Sequence, residues 1–270
     1  MTINLNQIHL TWTLAKLTAK RLRRRTSTWA LLLLGLAPCA MLLFWGIANI
    51  TGGRINLKPY AMFLNIMSHY FLNFYVPLLA IFLGLGTISE EVESRNITFT
   101  LVRPLHRAGI VAGRLLGHLI VGILVLAICI FCNYMANMLF QIEDILHFTP
   151  MMLNCIFVFA FGFLAFITVI AVLGTFWRKF AIITGILWLI LDNLFSRTPI
   201  DTLNWISISY RMSASFWETH FPYVGFTATP IVASPAWLNA SFCLVVALLG
   251  AVIMAARLQY QEVILSEGAN

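Results

Sequence analysis

Charge is what this sequence has least of. Asp, Glu, Lys and Arg make up 10 % of 270 residues, and only ten of them are carboxylates. Soluble domains run near about a quarter charged, so a soluble globular protein is excluded. No glycine-rich GxxxxGK[ST] loop occurs, which excludes nucleotide binding and hydrolysis of the Walker type by this chain. HExxH and GxSxG are missing too, and with them two common hydrolytic constellations. The five cysteines, at 39, 129, 132, 155 and 243, are odd in number and all lie in apolar runs, so they do not form a disulfide framework. Cys129-x-x-Cys132 has the spacing of a redox or metal pair. Inside an apolar helix the pair reads as two small buried hydrophobes.

What is present in excess is hydrocarbon. Hydrophobic residues make up 60 % and mean hydropathy is +0.88. The expected class is therefore an all-α integral membrane protein, a single transmembrane domain over 1–270. The length allows several spans of about 20 residues and leaves none for a sizeable soluble domain. Six apolar segments can be placed, at 28–50, 67–88, 112–140, 152–176, 180–197 and 236–257. The third exceeds the bilayer thickness and must tilt or emerge at its start. The first is too long for a signal peptide and lacks a small-residue cleavage site.

The formal net charge is +7, but its placement argues against nucleic acid. The cluster KLTAKRLRRR (16–25) stops just before the first apolar run, where orientation-setting charge sits in a membrane protein. With the N-terminus inside, thirteen Lys and Arg fall on the inner side and four on the outer. That bias predicts a multi-pass protein of the cytoplasmic (inner) membrane with both termini in the cytoplasm.

Two flanking regions have their own pattern. In 1–27, Leu5, Ile8, Trp12, Ala15, Ala19 and Leu22 recur at steps of three and four, one stripe of an amphipathic helix lying in the membrane interface. The outer stretch 198–236 carries Trp205, Tyr210, Phe216, Trp217, Phe221, Tyr223 and Phe226. Aromatics at this density suit the water–lipid boundary and predict short outer-leaflet helices before the sixth span. Backbone that dips into hydrocarbon without crossing must be covered by protein.

The densest polar stretch is SEEVESRNITFTLVRPLHR, residues 89–107. Glu90-Glu91-x-x-x-Arg95 matches the EExxxR motif of CAAX-type intramembrane metalloproteases, and Phe216-x-x-x-His220 and His69-x-x-x-Asn73 supply two further short patterns. One ion would need the Glu and both His within a few ångström. His69 opens the second segment on the outside and Glu90 closes it on the inside; at about 1.5 Å per residue they stand about 30 Å apart. That separation, with the motifs in the wrong chain order, argues against the protease.

The stretch has a different internal logic. Glu90, Glu91 and Glu93 follow directly on a span, so the second helix is expected to continue to about Arg95–Asn96. Ile97, Phe99 and Leu101 alternate with Thr98 and Thr100, a short two-faced element. Arg103 is biased to extended geometry, and Pro104 suits the first turn of the next helix. Helix, short exposed element and sharp restart make a stiff knob that can transmit force. The string E-E-V-E-x-R-x-I-T-F-x-L-x-R-P-L-x-R-x-x-I-V-x-G-R, residues 90–114, resembles the first cytoplasmic loop of ABC-2-type transporter permeases. The basic N-terminal helix, the six spans and the long outer segment before the last span resemble that family too. One departure is Asn96-Ile97-Thr98, where many members have Gly-Thr.

The resemblance implies that 89–112 is a coupling loop between spans 2 and 3. Glu90, Glu91, Glu93, Arg95, Ile97, Thr98, Phe99, Leu101, Arg103, Pro104 and Arg107 would then face a separate cytoplasmic ATPase. It implies two ATPase copies holding ATP and Mg, a second copy of this chain or a related permease, and no cofactor or catalysis on this chain. The reading from another class is a membrane docking protein that transports nothing. Within the spans charge is scarce, which argues against a proton-coupled carrier. Asp192, 12 residues into the fifth segment, is the clearest exception. An intramembrane carboxylate points to function, so Asp192 and Asn193 are candidates for a substrate path. The alternative is that Asp192 pairs with Arg197 near the outer interface or hydrogen-bonds through Asn193.

Overall fold

A computed structural model of the chain describes residues 5–52, 59–87, 107–139, 145–177, 180–224 and 234–267. Most of the coupling loop, including Glu90 to Pro104, lies outside the described residues. Among those described, every regular element is a helix. They are α1 (Leu5–Arg23), α2 (Thr26–Gly52), α3 (Pro59–Ile66), a π-helix (Met67–Tyr75), α4 (Val76–Leu85), α5 (Arg107–Met138), α6 (Ile145–Phe176), α7 (Ala181–Arg197), α8 (Asp201–Ile206), α9 (Ile208–Val224) and α10 (Ala236–Glu267).

Five helical stretches are long and apolar enough to cross a membrane: Thr26–Ala48, Ala61–Leu85, Ala108–Met138, Ile145–Phe176 and Ala236–Leu258. The fifth expected segment folds as α7, of 17 residues. That is about 26 Å of helix, short of the about 30 Å hydrocarbon thickness. The second helix differs from expectation at both ends. Its span begins at Ala61, not near 67, because the polar residues that dilute its hydropathy are satisfied internally. Ser68 donates to the Asn65 carbonyl (3.0 Å) and Asn73 Nδ2 to the Ser68 carbonyl (2.8 Å). At the other end α4 stops at Leu85 with Gly86 as its cap, ten residues short of Arg95, at a Gly84–Gly86 pair that weakens the helix.

Prolines explain how the first two spans lock together. Pro38 lies inside α2 and has no N–H for the carbonyl of Leu34. In hydrocarbon that carbonyl needs another donor, and the Tyr70 hydroxyl supplies it at 2.7 Å. Tyr75 donates to the Leu31 carbonyl (3.0 Å) and Asn133 Nδ2 to that of Gly35 (3.0 Å). Gly35 is obligatory there, since a Cβ would stand 2.5 Å from the Tyr75 ring and from Cys129 Sγ. Cys129 is thus a small packed side chain, and all five thiols are free. In the second span the Val76 N–H bonds to the Phe71 carbonyl, a π-type step. It closes the widened turn just before Pro77, at the start of α4, where an α-helix would otherwise be strained.

The core centres on α6, which packs against α4, α5, α9 and α10. Three rings run through it as a column: Phe71 stacks on Phe159 at 6.2 Å and Phe159 on Phe216 at 5.8 Å. The second span is the most enclosed, 67 % buried; α2 and α10 are 22 % and 28 % buried and leave broad apolar faces for lipid or another chain.

α1 is the helix its periodicity predicts, but it rests on protein by a narrower face than the stripe. Ala15 and Leu22 are buried whereas Ile8 is 55 % and Trp12 47 % exposed. The seat is α5, its principal partner, whose Gly113 and Gly117 let the two backbones approach closely.

Candidate functional site

Two regions hold the polar residues on which function could rest, one at each end of the bundle. At the end bearing the coupling loop, α4 exits and α5 begins beside the basic terminus of α1. A methyl placed on Gly86 would lie 3.4 Å from His118 Nε2 and 3.7 Å from Arg25 Nη1. His118 is buried, and its Nδ1 sits 2.9 Å from the Arg114 carbonyl. A carbonyl can only accept, so Nδ1 carries a proton, and Nε2 lies on the side of Gly86. Arg21, Arg24, Arg25 and His118 wall a cavity of about 360 Å³. The last described residue before the loop, Thr87, is buried and held by its hydroxyl on the Gly84 carbonyl at 2.6 Å. Both flanks of the loop therefore leave from helices that are packed on each other and, through α5, on α1.

The sequence-predicted residues Glu90, Glu91, Glu93, Arg95, Ile97, Thr98, Phe99, Leu101, Arg103 and Pro104 lie outside the described residues, and Arg107 opens α5. Of the protease patterns, His69 sits in the π-helix and His220 in α9. Among the described residues no group of three His, Cys, Asp or Glu is placed to hold a metal ion.

At the opposite end, Asp192 is buried and its carboxylate serves the backbone. Oδ1 accepts the N–H of Ile208 at 2.9 Å and Oδ2 that of Ser209 at 2.9 Å. The next N–H, of Tyr210, reaches the hydroxyl of Ser207 at 3.2 Å; that of Arg211 reaches the Ser207 carbonyl at 3.2 Å. All four opening amides of α9 are thus satisfied, two of them by a charge placed where the helix dipole favours an anion. The Ser207 hydroxyl donates in turn to the Asp192 carbonyl (3.1 Å). Neither Arg197 nor Asn193 is the partner.

Arg211, a residue that sequence reasoning counted only as an outer-loop charge, is the second anchor. It is 4 % exposed. Its Nε donates to the Trp205 carbonyl (3.1 Å) and Nη1 to Asn239 Oδ1 (3.1 Å), and its guanidinium lies 4.1 Å over the Trp205 ring. Asn239 is itself fixed by Ser234. The signal available in sequence was a lone arginine inside the aromatic run from Trp205 to Trp217. A cavity of about 280 Å³ adjoins Arg211 and Asn239, walled by Phe157, Phe161 and Trp237; Asp192 and Asn193 do not line it.

A helical chain with several apolar helices long enough to cross a membrane has a counterpart among known families. The profile described as ABC-2 family transporter protein matches residues 12–195, well over half of the chain. The chain belongs to that family. Its match runs from α1 into α7 and so includes residues 89–112, while α8, α9 and α10 fall beyond it. No curated protein matches the chain. Membership makes it a multi-pass membrane protein of the permease type.

Proposed function

We propose that this chain is the membrane-spanning subunit of an ABC-2 exporter, driven through residues 89–112 by a separate cytoplasmic ATPase. The observation that carries this reading is the rigid seating of both loop flanks: Thr87 pinned on α4 and Arg107 opening a 32-residue helix. A loop so mounted moves the spans when it moves. Two ATPase copies, holding ATP and Mg, would act on two six-helix bundles, this chain and a second copy or a relative, with α7 as the fifth of the six helices. ATP-driven closure would rock the bundles about a path between them. The exposed face of α7, with Ile183, Leu187, Ile190 and Leu194 all between 58 % and 61 % exposed, supports a place for α7 along that path. Scarcity of charge in the spans favours an amphipathic or hydrophobic cargo. No cofactor is assigned to this chain.

The orientation is tested by labelling. Thr26 and Thr202 are both exposed, at opposite ends of the bundle. With both termini cytoplasmic, Thr202→Cys should react with an impermeant thiol reagent in intact cells, and Thr26→Cys only after permeabilisation. The reverse pattern would invert the topology.

Coupling is tested by copurification and transport together. Glu91→Ala or Arg107→Ala removes a charge-assisted contact, of a kind worth about 1.5–3 kcal/mol, and should weaken ATPase association by about tenfold or more. Pro104→Gly leaves the contact face intact and relaxes the restart of the third span, so the ATPase should still copurify while transport falls. Surface changes on a plain solvated loop usually stay within about 0.5 kcal/mol. Wild-type behaviour in all three variants would reduce the loop to a tether, as the docking-protein reading requires.

A further inference from the structure

The exposed flank of α1 borders a groove that the transport reading does not use. It lies between α1, α2 and α5 and encloses about 700 Å³. Its upper edge is basic: Lys16, Lys20 and Arg23 line it, at steps of four and three along α1, and all three are exposed. Below them the lining turns to hydrocarbon, with Leu32 from α2 and Leu124 and Ile128 from α5. From Ile120 to Ile128 this trough runs about 12 Å along α5. Trp12 and Trp29 stand at its rim. The groove is open at the side: Trp29 is 57 %, Leu124 56 % and Ile128 42 % exposed.

We propose that this groove binds one anionic phospholipid, its phosphate on Lys16, Lys20 and Arg23 and an acyl chain in the trough. The charge complementarity is one-sided. No carboxylate occurs in the chain before Glu90, and among the described residues the groove's lining contains none. A zwitterionic headgroup finds no anion for its ammonium, and Lys16 Nζ already lies 5.5 Å from the centre of the Trp12 ring that could otherwise take it. A second copy of the chain, seated symmetrically, would bring the same basic edge against itself. A soluble anion would leave the trough unfilled, and its exposed leucine and isoleucine call for hydrocarbon. Basic pockets between membrane helices recognise acidic headgroups by this combination. The bound lipid bridges α1 to the first and third spans, so it holds the interfacial helix on the bundle.

The test is native mass spectrometry of the full chain in detergent, supplied with phosphatidylglycerol, phosphatidylcholine or soluble glycerol 3-phosphate. One phosphatidylglycerol per chain should be retained in preference to phosphatidylcholine, and a large excess of glycerol 3-phosphate should not displace it. Combining Lys16→Gln, Lys20→Gln and Arg23→Gln should weaken retention by about a hundredfold, at the strength basic residues show near anionic lipid. Leu124→Trp fills the trough without touching the charges or the core and should also abolish retention, which covers the case of a poorly folded triple variant. Arg197→Gln, on exposed α7, should change nothing. Equal retention of phosphatidylcholine, displacement by glycerol 3-phosphate, wild-type retention in the triple variant or in Leu124→Trp, or a lipid-free dimer closing over the groove would each overturn the proposal.

Discussion

Asp192→Ala should lower the stability of the solubilised chain by about 3 kcal/mol, through two buried amides left without an acceptor. The Ile208 and Ser209 N–H groups both end on this carboxylate, and both residues are buried. The rest of the α9 cap, built on Ser207, does not cover those two donors. At about 2–4 °C per kcal/mol for a chain of this size, thermal unfolding should fall by roughly 6–12 °C. Asp192→Asn keeps one acceptor oxygen but aims an amide N–H at the other donor, so it should recover only about half of the loss. A chain whose melting is unchanged by Asp192→Ala while transport disappears would return Asp192 to the substrate path and remove it from the scaffold.

Gly117→Ala should also destabilise, and Gly185→Ala should do the opposite, although both place a methyl on a helix inside the bundle. On Gly117 the new carbon would stand 2.7 Å from Thr18 Cβ and 2.8 Å from the Ala15 carbonyl. One obstacle is backbone, so α1 as a whole must move off α5. Overpacking of this kind costs about 1–3 kcal/mol. On Gly185 the nearest atoms are 3.8 Å away, on Ile170 and Ile81, an ordinary contact. There the alanine should gain about 0.5–1 kcal/mol from the unfolded state and from helix propensity. Unfolding of the two variants side by side decides the matter. Loss of stability in both, or in neither, would mean that the α1–α5 seat is not the close contact described.

The same two positions show where sequence reading stops. Gly113 and Gly117 sit four apart in an apolar run, which in sequence marks only a smooth helix face. That the face receives α1 at Ala15 depends on a partner about a hundred residues away. Asp192 is a similar case. Hydropathy registers a carboxylate in an apolar segment and assigns it an energetic cost. The two amides that offset the cost come 16 and 17 residues later, across a turn. The second span was misplaced for a related reason: Asn65, Ser68 and Asn73 look unfit for hydrocarbon until their local hydrogen bonds are counted.

A resemblance over residues 90–114 pointed to the family, and by itself the sequence determined the class, the helix at the N-terminus and the helical outer segment. Those depend on composition and on periodicities of a few residues, which neighbours along the chain settle. Only the tertiary structure decided that Asp192 and Arg211 brace the outer helices, that α1 sits on two glycines and that a basic-rimmed groove opens beside α1. Each of these depends on which distant donor, backbone or apolar wall arrives opposite a residue, and no local pattern encodes that.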